Sequence, residues 1–383
     1  MKKLFAVLIC LMLCGSSVSA EETIKLGAFF DLSGRAAFIG TPTKLVAEMI
    51  VEKINSEGGI NGKKLELIVG DTEADPARAA SIAKKLIHKD GVVAIIGPTL
   101  TDTGMNVKKI VDSGQTPTIM TVGGDPVIMG GKFGPFKWVF KSPQRSSIAV
   151  ERLFIYLKKK GLTKVALLSA ADGFGKDGAR WMEKLAPKYG IEIVARESFG
   201  TRDTDMTAQL TKVKNASPQA LIAWTIGPAG SIIAKNKAQL GIDLPLFQCH
   251  GLPDPKYIEL AGKASEGDRM PATKLMVVDE LSDDDPQKAV ILEFIKLYKE
   301  KGYDKKFPIN THSGYAWDAI MMVANAIKKV GTDKDALRQE IENTKGYVGI
   351  SGIYNITPED HNGLGVDSMV MVQVKDGAFS MAD

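Results

Sequence analysis

The sequence is poor in the residues from which most enzyme sites are built. Of its three cysteines, Cys10 and Cys14 lie in a short apolar leader and Cys249 stands alone, so no disulfide framework forms within one mature chain. There are four histidines (His88, His250, His312 and His361), and none has metal-ligand spacing such as HExxH. Cys249 and His250 are neighbours on a strand-like segment, so their side chains point to opposite faces and a Cys–His nucleophilic pair is denied. No G-x-S-x-G elbow is present, and Asp283-Asp284-Asp285 lacks the glycine and terminal glutamate of a calcium loop; a solvated linker fits it better. Charge of one sign is missing too. A net charge of +4 over 383 residues, with no basic cluster interleaved with aromatics, gives no expectation of nucleic acid as a partner.

What the N-terminus has is specific. Lys2 and Lys3 precede an apolar run from Leu4 to Leu13, then GSSVSA and a polar EE. The run is too short for a bilayer-spanning helix, which needs about 20 apolar residues. Val18 and Ala20 occupy the small positions before a cleavage site, so residues 1–20 read as a secretory signal cut after Ala20. A lipid anchor at Cys14 is the rival, disfavoured because the bulky Leu13 stands where a small residue is expected. An exported chain with one cysteine must be held by its hydrophobic core, and 44% apolar residues over this length permit one.

Along the chain, IKLGAFF reads as a strand, and the helical spacing starts at Thr41 with Pro42 in its first turn. KLELIVGD, a helix opened by Asp75-Pro76, VVAIIGP and TPTIMTVGG continue the alternation. The run Gly58 to Gly104 is thus a parallel βαβ unit ending in a polar loop. The pattern restarts near Phe140 to Pro143 with KVALLSA, IEIVARESF, QALIAWT and LPLFQCH, each followed by a helix. That predicts α/β architecture with two doubly wound parallel sheets. The late helices around Ala289–Glu300, Tyr315–Lys329 and Lys334–Asn343, and a hairpin of SGIYNI with SMVMVQV, are too thin for a third domain and should cover the existing sheets. The chain then crosses between lobes more than once, which favours a hinge.

Gly173-Phe174-Gly175-Lys176-Asp177-Gly178 matches the dinucleotide pattern G-x-G-x-x-G, but Lys176 and Asp177 put bulk and negative charge where a pyrophosphate must approach. A tight βα turn is the preferred reading, and no cofactor or metal is expected. Candidate binding positions lie instead at successive strand ends: Ser33-Gly34, Thr99–Thr101, Thr121–Gly124, Asp172–Phe174, Trp224–Gly227 and Cys249–Gly251. In an open α/β sheet those ends face the ligand.

On the residues DLSG and FIG after the first strand, GGINGKKLELIVGDTEADPARAASIAKKLI, VAIIGP, TPTIM, ADGFGKDG and GYAWDAIMMVANAI, the mature chain resembles the periplasmic substrate-binding proteins of branched-chain amino acid ABC transporters. The resemblance implies a monomeric, non-enzymatic receptor that closes on a small molecule and presents it to permease subunits. It implies crossings near Lys141, Val278 and Val366, with 21–141 and 279–366 forming one lobe and 142–278 and 367–383 the other. It also implies that Thr101, next to Leu100, holds a ligand carboxylate, with Val122 and Gly123 beside it. The family's aromatic and acidic ammonium ligands fall near Ile226-Gly227 and at His250, where neither is retained. Burying an ammonium without a counter-charge costs several kcal/mol, so the expected ligand is an aromatic or other organic carboxylate. Phe38, Phe174 and Trp224 would supply aromatic walls, His250 a second polar contact, and Arg35 or Arg145 a charge partner. A branched-chain amino acid receptor and an exported ligand sensor for a membrane signalling partner are the alternatives.

Overall fold

The structure, a computed structural model, describes residues 23–131 and 134–383; the expected signal segment and Cys14 lie outside them. β1 (Ile24–Phe30) and β2 (Leu65–Asp71) pair in parallel, with Ile24 opposite Leu65 and Phe30 opposite Asp71. The helix between them, α1 (Ala37–Ser56), begins at Ala37 rather than Thr41 and carries Pro42 inside. Gly40 allows this early start, because a Cβ there would lie 2.1 Å from the Asp31 carbonyl oxygen. α2 (Pro76–Lys85) has its proline at the first position, and the Asp75 carboxylate accepts the Arg78 N–H at 2.7 Å as a cap.

β3 (Ala94–Ile96), α3 (Thr101–Ser113) and β4 (Thr118–Met120) follow. A small hairpin of β5 (Met129–Gly131) and β6 (Gly134–Pro135) precedes β7 (Val139–Lys141). The first sheet has the order β2-β1-β3-β4-β7, parallel throughout. β3 and β4 are buried along their length, as strands covered on both faces should be.

After α4 (Ser146–Lys159) the alternation restarts with β8 (Lys164–Ala170), α5 (Gly173–Tyr189), β9 (Glu192–Phe199) and α6 (Thr207–Asn215). It continues through β10 (Ala220–Trp224), α7 (Pro228–Gln239), β11 (Leu246–Gln248), α8 (Pro255–Ala261) and β12 (Arg269–Ala272). α9 (Lys288–Glu300), α10 (Tyr315–Val330) and α11 (Lys334–Glu342) come next, and α10 packs along α1 of the first lobe.

The expected hairpin near the C-terminus does not form. Its first half pairs elsewhere, as β14 (Ile353–Tyr354) against β13 (Tyr347–Val348). Its second half, β15 (Val370–Lys375), joins β12 and β16 (Ala378–Met381) in antiparallel fashion in the other lobe. Alternating hydrophobicity marks a strand but does not name its partner. The second sheet is therefore ordered β16-β15-β12-β11-β10-β8-β9, parallel except at the β15 and β16 edge.

Two doubly wound lobes result, joined by three chain crossings. The first crossing is bonded to the third, Gln144 Nε2 donating to the Ser368 carbonyl at 3.4 Å, and to first-lobe segments beside it. Ser142 Oγ donates to the Tyr315 carbonyl at 2.9 Å, and Tyr354 OH to the Ser142 carbonyl at 2.6 Å. Asn362 Nδ2 donates to the carbonyls of Lys141 and Pro143 at 3.1 and 2.8 Å. Buried Asp318 accepts the Ile350 and Ser351 N–H groups at 2.7 and 2.8 Å, tying α10 to the same belt.

Candidate functional site

The carboxyl ends of β3 and β4 face those of β8, β10 and β11, leaving a small cavity of about 40 Å³ between the closed lobes. Leu100, Thr101, Gly123, Phe174, Ile226 and His250, all singled out from the sequence, line it. Three other candidates do not. Val122 is fully buried in the core of the first lobe. Trp224 stands behind the wall, its ring 5.8 Å from that of Phe174 and 5.5 Å from that of His250. Phe38 packs on Gly227 and faces a neighbouring groove. The sequence reading missed Ile39, His312 and Tyr315, which also line the cavity. The last two come from the turn into α10 rather than from a strand end, so the strand-end rule had no reach there.

The first lobe offers donors. Leu100, the residue before α3, makes no side-chain cap, so the amides of Thr101, Asp102 and Thr103 at the start of this 13-residue helix have no intrahelical acceptor. The first intrahelical bond is Gly104 N–H to the Leu100 carbonyl at 2.9 Å. The Thr101 hydroxyl stands beside them, so close to Gly124 that a Cβ there would lie 2.7 Å from it. Thr99 and Thr121 add hydroxyls, the latter donating to the Pro98 carbonyl at 2.9 Å and keeping its lone pairs free.

The second lobe offers an apolar wall with one polar ring. His250 is buried, and neither ring nitrogen has a protein partner. Burial, with Lys141 and His312 nearby, pulls its pKa down to about 3. The imidazole is neutral at neutral pH and can both donate and accept. Its Nε2 faces Gly123, where a Cβ would lie 3.1 Å from it and 3.0 Å from the Phe174 ring. A side chain there would crowd both rings where the two lobes meet.

His312 closes the far side. Burial lowers it to about 4, and its Nε2–H donates to the Gly251 carbonyl of the other lobe at 3.2 Å. Behind Gly123 lies Lys141, fully buried, donating to the Gly123 and Gln144 carbonyls at 2.8 and 3.1 Å. Burial lowers it to about 8, against the pull of Asp125 and Asp177.

No carboxylate, ammonium or guanidinium is among the described residues lining the cavity. Arg35 pairs with Asp102 at 3.7 Å and Asp172 at 4.0 Å, and Arg145 with Asp360 at 3.6 Å, so both arginines already face protein carboxylates. The lobes are closed on one another. The Asp102 carboxylate accepts the Gly173 N–H at 3.1 Å, and Asp177 accepts the Asp125 N–H at 2.8 Å.

The glycine motif has a packing explanation at each position. A Cβ on Gly173 would lie 2.5 Å from Asp102 Oδ1, on Gly175 1.9 Å from the Ala170 carbonyl, and on Gly178 2.3 Å from the Trp224 indole. The helix starts at Gly173, three residues before Lys176, because Asp172 caps it by accepting the Gly175 N–H at 2.8 Å. Cys249 is buried, with its thiol pushed up to about 12 by desolvation and donating to the Thr225 carbonyl at 2.9 Å. It has no nucleophilic character.

Several known proteins share this architecture. A leucine-, isoleucine-, valine-, threonine- and alanine-binding protein of Pseudomonas aeruginosa is 25% identical over 333 residues, covering 86% of this chain and 84% of its own. A Leu/Ile/Val-binding protein homolog of Brucella abortus is 22% identical over 316 residues, or 82% and 81% of the two chains. Among solved structures, an extracellular ligand-binding receptor from Rhodopseudomonas palustris superposes with a TM-score of 0.85 at 25% identity, covering 94% of this chain and 99% of that one. The branched-chain amino acid transporter substrate binding protein LivJ of Streptococcus pneumoniae, in complex with isoleucine, superposes at 0.81 with 24% identity, covering 94% and 99%. The periplasmic binding protein family model matches residues 23–378, so this chain belongs to that family: it is a binding protein and not an enzyme.

Proposed function

We propose that the chain is the extracytoplasmic solute receptor of an ABC importer and closes on a small organic carboxylate, aromatic by preference, rather than on an α-amino acid. The observation that carries this reading is the make-up of the second-lobe wall. Phe174, Ile226 and the unpartnered neutral His250 stand where an ammonium group would need an acid, and no acid lines the cavity. A carboxylate has what it needs on the opposite wall: free amides at a helix N-terminus and the Thr101 hydroxyl. Charge-assisted hydrogen bonds of this kind are each worth about 1.5–3 kcal/mol. An aromatic ring then lies against Phe174, and a polar substituent meets His250.

In this reading the moving bodies are 21–141 with 279–366 and 142–278 with 367–383, the mature chain is an exported monomer, and the partners are permease subunits. Branched-chain amino acid binding is the second reading, favoured by the names of the similar proteins from Pseudomonas and Brucella. Titration calorimetry against benzoates, phenylpropanoids and aliphatic amino acids separates the two. Micromolar or tighter binding of an aromatic acid with none of leucine is expected; tight leucine binding with no aromatic-acid binding overturns the proposal.

A further inference from the structure

Beside the cavity lies a second, larger concavity of about 490 Å³, lined by both lobes. Gly251 separates the two, since it lines each of them. The floor of the groove is made by contacts across the lobes. Asn310 Nδ2 donates to Asp254 Oδ2 at 2.9 Å, and the Thr311 N–H donates to the Pro253 carbonyl at 2.9 Å. The groove in this form therefore belongs to the closed protein.

Its walls are apolar and aromatic: Phe38 from the first helix, Tyr257 and Leu260 from α8, and Phe307 from the loop before α10. Leu260 is 39% exposed, one of the few large apolar side chains of the described residues left open to water. The charges around the groove do not balance. Lys256 is matched by Glu259 at 2.6 Å, and Asp254 already accepts both the Lys256 N–H and the Asn310 amide. Lys305 and Lys306 remain on the rim, exposed, with no carboxylate within ion-pair distance among the described residues. A concave, mostly apolar site with a few convergent polar groups is the usual form of a small-molecule site. Lys305 and Lys306, the latter with its ammonium 5.5 Å from the Phe307 ring centroid, put a positive rim beside aromatic walls, which favours an anion with an aromatic body.

We infer that this groove is a second binding site of the closed protein, for an aromatic carboxylate whose ring lies between Leu260 and Phe307 and whose acid group meets Lys305 and Lys306. For its ligand class the inference rests on the function proposed above; its geometry is separate from the cavity. Occupation adds contacts to both lobes and so holds the cleft shut.

The test is calorimetry of the full mature chain with 2-naphthoate, in wild type and three variants whose folding is checked by circular dichroism. Leu260→Glu places a carboxylate on the apolar wall, the double variant Lys305→Glu/Lys306→Glu reverses the rim charge, and Thr101→Val alters the cavity alone. The expected result is a binding component lost in Leu260→Glu and weakened at least tenfold in the double variant, while Thr101→Val acts first on the cavity component. If no component responds to either groove variant while both remain folded, the inference is overturned. If the groove component persists and no component responds to Thr101→Val, the cavity reading falls and the groove stands.

Discussion

The two walls of the cavity are built on different principles. The first-lobe wall is made of hydroxyls and backbone amides at the start of α3, hydrogen-bonding groups that would suit any acid group under the proposed function. The second-lobe wall is made of side chains, Phe174, Ile226 and His250, and it presents shape and a single neutral polar ring. A backbone grip changes little when the sequence changes; a side-chain wall changes with every substitution. Under the function proposed above, the first wall would decide that an acid binds, and the second would decide which.

The most severe way to break that division is to stop the walls meeting. Gly123→Val puts branched carbon where even a Cβ would lie 3.0 Å from Phe174 and 3.1 Å from His250. Loss of binding by more than about a hundredfold is expected, with the protein held open and a larger radius of gyration by X-ray scattering.

Acid sharpens the contrast next. In the closed form His250 and His312 sit at about 3 and about 4, while water-exposed imidazoles titrate near 6.5. Their folded values are depressed bases, so protons bind the open or unfolded state more tightly. Affinity should be flat from pH 7 to 7.5 and fall as pH drops through 6.5. Each imidazole exposed on opening contributes about 1.4 kcal/mol, or tenfold, per pH unit. Calorimetry at pH 7 and pH 5 measures it, and His250→Asn should remove its share of the slope.

Thr101→Val tests the first wall alone. Removing a hydroxyl that bonds a charged group should lower affinity for carboxylates about tenfold or somewhat more, across all acids tested rather than for one. An effect confined to a single acid would mean that the first wall also selects.

The smallest effect lies away from the cavity, where the lobes again differ. Asp318 of the first lobe is buried among two backbone donors and the Tyr354 hydroxyl, which leave burial raising its carboxyl only to about 6. Asp268 of the second has the Tyr257 hydroxyl, and burial raises its carboxyl to about 7. A raised acid pKa means the folded protein holds the proton more tightly, so stability falls as pH rises from 4 towards 7 and levels off above. Asp268→Asn should remove this loss and raise the melting temperature at pH 8 by a few degrees, with no gain at pH 4. A lower melting temperature at both pH values would show that the carboxylate is needed as an acceptor.

Much of this was legible in the sequence. The βα alternation places strand ends, and strand ends place Thr101, Gly123, Phe174 and His250 at one cavity. What strand ends cannot reveal is side-chain direction at long range. Trp224 turns under Gly178 and Val122 turns into its own core, although both sit at strand ends. His312 and Tyr315 arrive from a turn that only the fold brings to the cleft. The C-terminal strands were visible as strands, but whether they paired with each other or with opposite lobes depended on the path of the third crossing.

The stitched crossings have a mechanical consequence. Two chain segments bonded to one another form a strap, and a strap resists shear and twist far better than it resists bending. We expect the soft mode of the molecule to be rotation about one axis near Gln144 and Ser368, with a single angle as its coordinate. Two dyes placed on opposite rims would read that angle directly. Every ligand, tight or weak, should fall on the same one-dimensional curve between open and shut.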